Sequence, residues 1–232
     1  MKQYLVRFGP IYLIFTGCFM IILLLSGKAI TVMAENAPLE RQHTIIIDAG
    51  HGGEDGGATS CTGLLESQFN LAIALRLNDL CHLLGYKTIM IRTEDISVYT
   101  QGATLAAKKA SDLKQRVSIV NQTENGILIS IHQNTFSDQQ YSGAQVFYAK
   151  TNGSKDFAHL LQKSFSVMDP QNTRREKEAS GVYLMNHVSK PAILLECGFL
   201  SNPEEEGKLR SSEYQKKLCC VIVHALSCYI NA

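Results

Sequence analysis

The chain has 232 residues, 45% of them hydrophobic, with 22 basic and 21 acidic side chains and a formal net charge of +1. That length suits one globular domain plus a short extra segment, and the near-zero charge gives no electrostatic footprint for nucleic acid. No internal repeat or low-complexity stretch is evident.

Residues 1–34 read as an export segment. Lys2 and Arg7 precede the apolar run 11–25, and Val32-Met33-Ala34 offers a cleavage site after Lys28. The run is short for a spanning helix, so a cleaved signal peptide and an uncleaved membrane anchor both stay open. Either one places the remainder outside the cytoplasm, secreted or membrane-anchored. Gly17-Cys18 hints at a lipoprotein site, but apolar residues follow it directly. Residues 35–43 form a polar tether, and 44–232 form the folded domain.

That domain opens with residues 44–47, whose continuous apolar character predicts a strand buried on both faces. A loop at 51–63 carries Gly52, Gly53, Gly56, Gly57 and Gly63. Phe69, Ile73, Leu77, Leu80 and Leu84 recur at helical spacing over 66–84, and Gly85 ends that helix. A second strand spans 86–91, and a polar loop with helical pieces spans 93–110. Ser111-Asp112 is placed to cap a helix that ends near Asn121, with Val117 and Val120 on its apolar face. Strands follow at 127–131 and 144–148. A helix at 156–168 is stopped by Asp169-Pro170, 182–185 reads as a short strand or turn, 192–196 is a strand, and 212–230 is the last helix. Strands alternating with helices predict an α/β domain with a mostly parallel central sheet flanked by helices. Ligands of such sheets gather at the carboxyl ends of the strands.

Three residues fall at such ends: His51 after the first strand, His132 after the third, and Glu196 after the last. Glu66 opens the first helix. Two histidines and a carboxylate leave one zinc position open for water, and a second carboxylate can take that water's proton. Each residue also has a plainer reading. His51 sits in a glycine-rich turn, Glu66 suits a helix dipole, and His132 can be a satisfied strand-end histidine. Glu196 can form a buried salt bridge with Lys190 or Arg92. Asp48 or another nearby acceptor can hold the outer ring nitrogen of a liganding histidine. The glycine loop is not a dinucleotide loop, because Asp55 stands where the third glycine belongs. Of the other histidines, His43 lies in the tether, His82, His159 and His224 lie on helices, and His187 is close enough to the last strand to line the crevice.

Six cysteines lie beyond the leader, with no C-x-x-C pair, so no structural zinc site and no obligatory disulfide is expected. Cys219, Cys220 and Cys228 fit an apolar helical pattern as core thiols. Cys197 with His132 as base invites a cysteine-peptidase reading. A residue next to Glu196 in a strand, however, points to the opposite face.

The motifs Asp48-Ala49-Gly50-His51-Gly52-Gly53, Asp55-Gly56-Gly57-Ala58, Glu66 with Asn70-Leu71-Ala72, Ser130-Ile131-His132-Gln133-Asn134 and Leu195-Glu196-Cys197-Gly198-Phe199-Leu200-Ser201-Asn202 resemble those of the zinc-dependent N-acetylmuramoyl-L-alanine amidases of bacterial cell walls. The resemblance runs from Thr44 to the C-terminus. It implies that His51, Glu66 and His132 bind one zinc ion and that Glu196 is the catalytic carboxylate. The implied reaction cleaves the amide between the lactyl group of N-acetylmuramic acid and L-alanine of the stem peptide in peptidoglycan. Asn134 is a substrate-contact candidate by position alone.

The compact plan, the N-terminal apolar segment, residues 142–148 and Asp169-Pro170-Gln171-Asn172 are most like the germination-specific amidases, which prepare spore cortex for muramic lactam. A short spacer between the strands at 127–131 and 144–148 leaves no room for a long autoinhibitory helix. An activating partner protein is left open. The rival functions are a membrane-tethered peptidoglycan-binding module without catalysis and a zinc peptidase cutting stem-peptide bonds.

Overall fold

A computed structural model describes residues 43–232. The expected leader at 1–34, and all of the tether except His43, lie outside the described residues. The strands are β1 (Thr44–Ala49), β2 (Lys87–Met90), β3 (Gly126–Asn134), β4 (Gln145–Tyr148), β5 (Lys177–Glu178) and β6 (Ala192–Phe199). The helices are α1 (Glu66–Leu83), α2 (Leu105–Gln122), α3 (Ser154–Met168), α4 (Tyr183–His187), α5 (Pro203–Arg210) and α6 (Ser212–Ile230).

One six-stranded sheet runs in the order β2-β1-β3-β6-β4-β5. All its pairings are parallel except β4 against β6. The expected α/β architecture with a mostly parallel sheet is therefore present. Alternation along each strand splits the core into two layers. Ile45, Ile47, Ile129, Ile131, Ile193 and Leu195 pack with Phe69, Ile73 and Leu77 of α1, Phe157 and Phe165 of α3, and Ile222 of α6. Ile46, Leu128 and Leu194 face the other way, onto Val120 of α2 and Leu184 and Met185 of α4. Burying both faces of β1 and β3 explains why their sequences read as unbroken apolar runs.

Several boundaries differ from the sequence reading. β3 and β6 do not stop at the last aliphatic residue: each continues through the polar residues beyond it, so His132 and Glu196 lie inside strands. Helix α2 starts at Leu105, capped by Thr104, whose side chain accepts from the Ala107 amide at 3.2 Å. Ser111 and Asp112 therefore sit within the helix, where Ser111 Oγ accepts from Thr100 N at 3.2 Å and Asp112 accepts from Val98 N at 2.7 Å. Residues 183–187 form a helix. Helix α5 was not anticipated. Asn202 caps it by accepting from Glu204 N and Glu205 N at 2.9 and 3.2 Å, and Pro203 opens it.

Residues 135–144 contain no helix. Among the described residues, no helix is long and apolar enough to cross a membrane. Of the six cysteines in the described part, Cys81, Cys197 and Cys219 are buried. Cys220 and Cys228 are exposed, contrary to the core role read from the helical pattern.

Candidate metal centre

The centre is built on the turn after β1. Two buried arginines grip its backbone. Arg92 donates to Ala49 O at 2.8 Å and to Gly50 O at 3.0 Å. Arg116 donates to Ala49 O at 3.1 Å and to His51 O at 2.8 Å. Asn70 adds a bond to Gly50 O at 3.1 Å. Held this way, His51 adopts φ +61°, in the left-handed region that non-glycine residues enter at a cost. Such strain persists where the surroundings over-determine the backbone, and three polar side chains do so here.

The turn aims His51 at Glu66, the first residue of α1, with Nε2 3.2 Å from Oε2. His132 reaches the same carboxylate from β3, its Nδ1 2.9 Å from Glu66 Oε1. The three donor atoms lie within 4.8 Å of one another, a His/Glu/His set that could hold a metal ion. Glu66 is fixed further by Ala58 N at 3.0 Å, Gln133 N at 3.1 Å and Asn70 Nδ2 at 3.2 Å. Burial works to raise its pKa, but the two histidines hold its carboxyl well below the usual carboxylate range.

The donor chemistry fits zinc, with two imidazole nitrogens and one carboxylate oxygen. Two glycines supply the space around them. A Cβ on Gly57 would meet Glu66 Oε2 at 2.6 Å and His51 Cδ2 at 2.7 Å, and one on Gly50 would strike the His132 ring. His51 Nδ1 is held by Asp55 Oδ2 at 3.0 Å, which fixes the ring orientation. The outer acceptor is thus Asp55 and not Asp48, which takes Arg116 and the Ser130 hydroxyl instead.

Glu196 pairs across the β3–β6 ladder with His132. The salt bridge weighed for it does not form: Arg92 is spent on backbone carbonyls, and among the described residues Glu196 Oε2 is buried with no hydrogen-bond partner. Burial pushes its carboxyl up to about 7. Cys197 belongs to the apolar layer on the other face, and burial pushes its thiol well above the ordinary range. That removes it as a nucleophile at neutral pH. Asn134 is half-buried and pairs with Phe199 beyond an irregularity in the ladder. His187 does not line the crevice. It stacks on Tyr183, and its carbonyl accepts from Asn121, at the far end of α2.

Comparison with known proteins decides the family. The family model for N-acetylmuramoyl-L-alanine amidase matches residues 45–228. The chain belongs to that family. It is an amidase acting on peptidoglycan, from a family whose members depend on zinc. The chain is 38% identical to the germination-specific N-acetylmuramoyl-L-alanine amidase of Bacillus subtilis over 189 residues, covering 81% of this chain and 79% of that protein. It is similar to the solved CwlD amidase of Clostridioides difficile in complex with the GerS lipoprotein, with TM-score 0.77 and 36% identity over 81% of this chain and 98% of that one. An N-acetylmuramoyl-L-alanine amidase of Clostridium difficile 630 aligns with TM-score 0.72 and 30% identity over 83% and 98%.

Sequence reasoning missed Asp55, Arg92, Arg116, Asn70 and Gln133 as builders of the centre. Asp55 carries a signal, lying four residues after His51 in the motif Asp55-Gly56-Gly57-Ala58, but nothing in the sequence assigns it to the His51 ring. The arginines carried none, because a buried arginine that binds carbonyls looks like any other in sequence.

Proposed function

We propose that His51, Glu66 and His132 of this amidase bind one zinc ion and that Glu196 is its general base and acid. The observation that carries this reading is Glu196 Oε2, a buried carboxylate oxygen with no hydrogen-bond partner among the described residues, on a residue in ladder register with His132 beside three converging donors. A buried carboxylate oxygen without a partner is costly and calls for a use. Bound there, zinc would lower the pKa of a water toward neutrality and polarise the scissile carbonyl. Glu196 takes the water's proton and returns it to the leaving amine of L-alanine. A pKa near neutrality suits a group that must do both. Asp55 keeps His51 oriented, and the Gly50 and Gly57 positions keep the space open. Asn134 contacts substrate from the end of β3.

The biological setting that the resemblance supports is spore-cortex maturation, where amide cleavage is the first step toward muramic lactam. The likeness to the germination-specific amidase supports it. Acting there requires export, with residues 1–34 as signal peptide or anchor. The solved complex of CwlD with a lipoprotein supports a protein partner for this chain as well.

The test is zinc content and muropeptide turnover of the protein beside Glu196→Gln. The variant should keep about one zinc and lose about a hundredfold or more of turnover. Wild type should release intact stem peptide beginning with L-alanine. Full activity in the variant would remove Glu196 from the chemistry, and shortened peptide still attached to sugar would favour the zinc-peptidase reading.

A further inference from the structure

Strand β4 lies beside β6 with Gln145 directly opposite Glu196. Opposed residues of an antiparallel pair project from the same face, with Cβ atoms about 5 Å apart. Gln145 is therefore a neighbour of the Glu196 carboxylate. It also lines a pocket of about 550 Å³ whose wall includes Tyr141, Arg174, Arg175 and Lys177.

The pocket concentrates positive charge that the protein does not neutralise. Among the described residues, none of these three cations forms an ion pair. The acidic neighbours in sequence are engaged elsewhere: Glu176 with His159 at 3.0 Å and Glu178 with Lys150 at 3.1 Å. Arg174 is held rigid. Its guanidinium lies 4.6 Å from the Phe199 ring centre and 5.9 Å from that of Tyr141. Its Nε donates to Ser142 O at 2.7 Å and its Nη1 to Gln145 Oε1 at 3.2 Å. Gln145 Nε2 in turn donates to the Arg175 carbonyl at 2.9 Å, fixing the backbone that presents Arg175. The side chains of Arg175 and Lys177 stay exposed. A cationic wall beside Glu196, with Arg174 fixed and Arg175 and Lys177 open to solvent, suits an anion.

The leaving group of the reaction is a peptide whose residues after L-alanine carry carboxylates. We propose that Arg175 and Lys177, beside the Arg174 that Gln145 and the aromatic rings hold in place, bind a stem-peptide carboxylate and make the free acid preferred over its amide. This rests on Glu196 marking the reacting centre.

The test titrates L-alanyl-D-glutamate and its diamide into wild type and into the double variant Arg175→Gln/Lys177→Gln, both residues exposed and outside the metal set. Muropeptide turnover is followed in parallel. Wild type should bind the acid about five- to tenfold more tightly than the diamide at low salt, and less selectively as salt rises. The double variant should bind both peptides alike. Equal binding by wild type, or a preference that survives the double substitution, overturns the proposal. An acid preference without stem-peptide release by wild type overturns the reading of the reaction and leaves the pocket standing.

Discussion

At the residue scale, the centre depends on side chains whose conformations are fixed by their neighbours. His51 combines an unfavourable backbone angle with a ring held on its outer nitrogen by Asp55 at 3.0 Å. Outer partners of this kind set the tautomer and orientation of a liganding histidine. Asp55→Asn should therefore weaken zinc affinity about ten- to a hundredfold, measured by competition with a chromogenic chelator. Unchanged affinity would mean that the Arg92 and Arg116 clamp alone positions the ring. His51, Glu66, His132 and Glu196 were legible in sequence because a polar residue directly after an aliphatic run, or at a helix start, breaks a local pattern. Asp55 and Gln133 break none.

At the element scale, one buried ion pair ties the sheet to α2. Arg116 pairs with Asp48 of β1 and reaches Asp112 at 2.6 Å, while Ser130 of β3 donates to Asp48 at 2.6 Å. Burial alone would raise the Asp48 pKa, but the Arg116 charge and the Ser130 hydroxyl hold it below the ordinary aspartate value. A depressed carboxylate pKa contributes stability that is complete above the unfolded value and lost as pH falls through the folded one. Asp48→Asn should cost about 3 kcal/mol near neutral pH, since it strands a buried arginine. Denaturant titrations should show that gap intact down to about pH 4 and shrinking below it. A gap independent of pH would mean that packing, rather than charge, carries the loss. Element boundaries were legible where periodicity was strong, as in α1 and α6. They were not legible for α2, whose first turn follows a polar loop, or for the short α5, whose start lies in the Asn202-Pro203 pair and not in any apolar period.

At the scale of the whole molecule, the crossover order β2-β1-β3-β6 brings segments more than sixty residues apart to one edge of the sheet. If the chain serves cortex maturation, spores lacking it should contain no muramic lactam by muropeptide profile. Normal lactam content would leave the amidase assignment in place and move its setting elsewhere. The sequence by itself determined the α/β class, the mostly parallel sheet and the family, and pointed to four candidate residues for the centre, because each rests on local periodicity or on a short contiguous motif. Only the tertiary structure decided which acceptor holds His51, that Arg92 clamps carbonyls instead of neutralising Glu196, and that Gln145 joins a cationic pocket to the strand edge that carries Glu196. Those facts depend on strand register and on burial, and both are set by residues far apart along the chain.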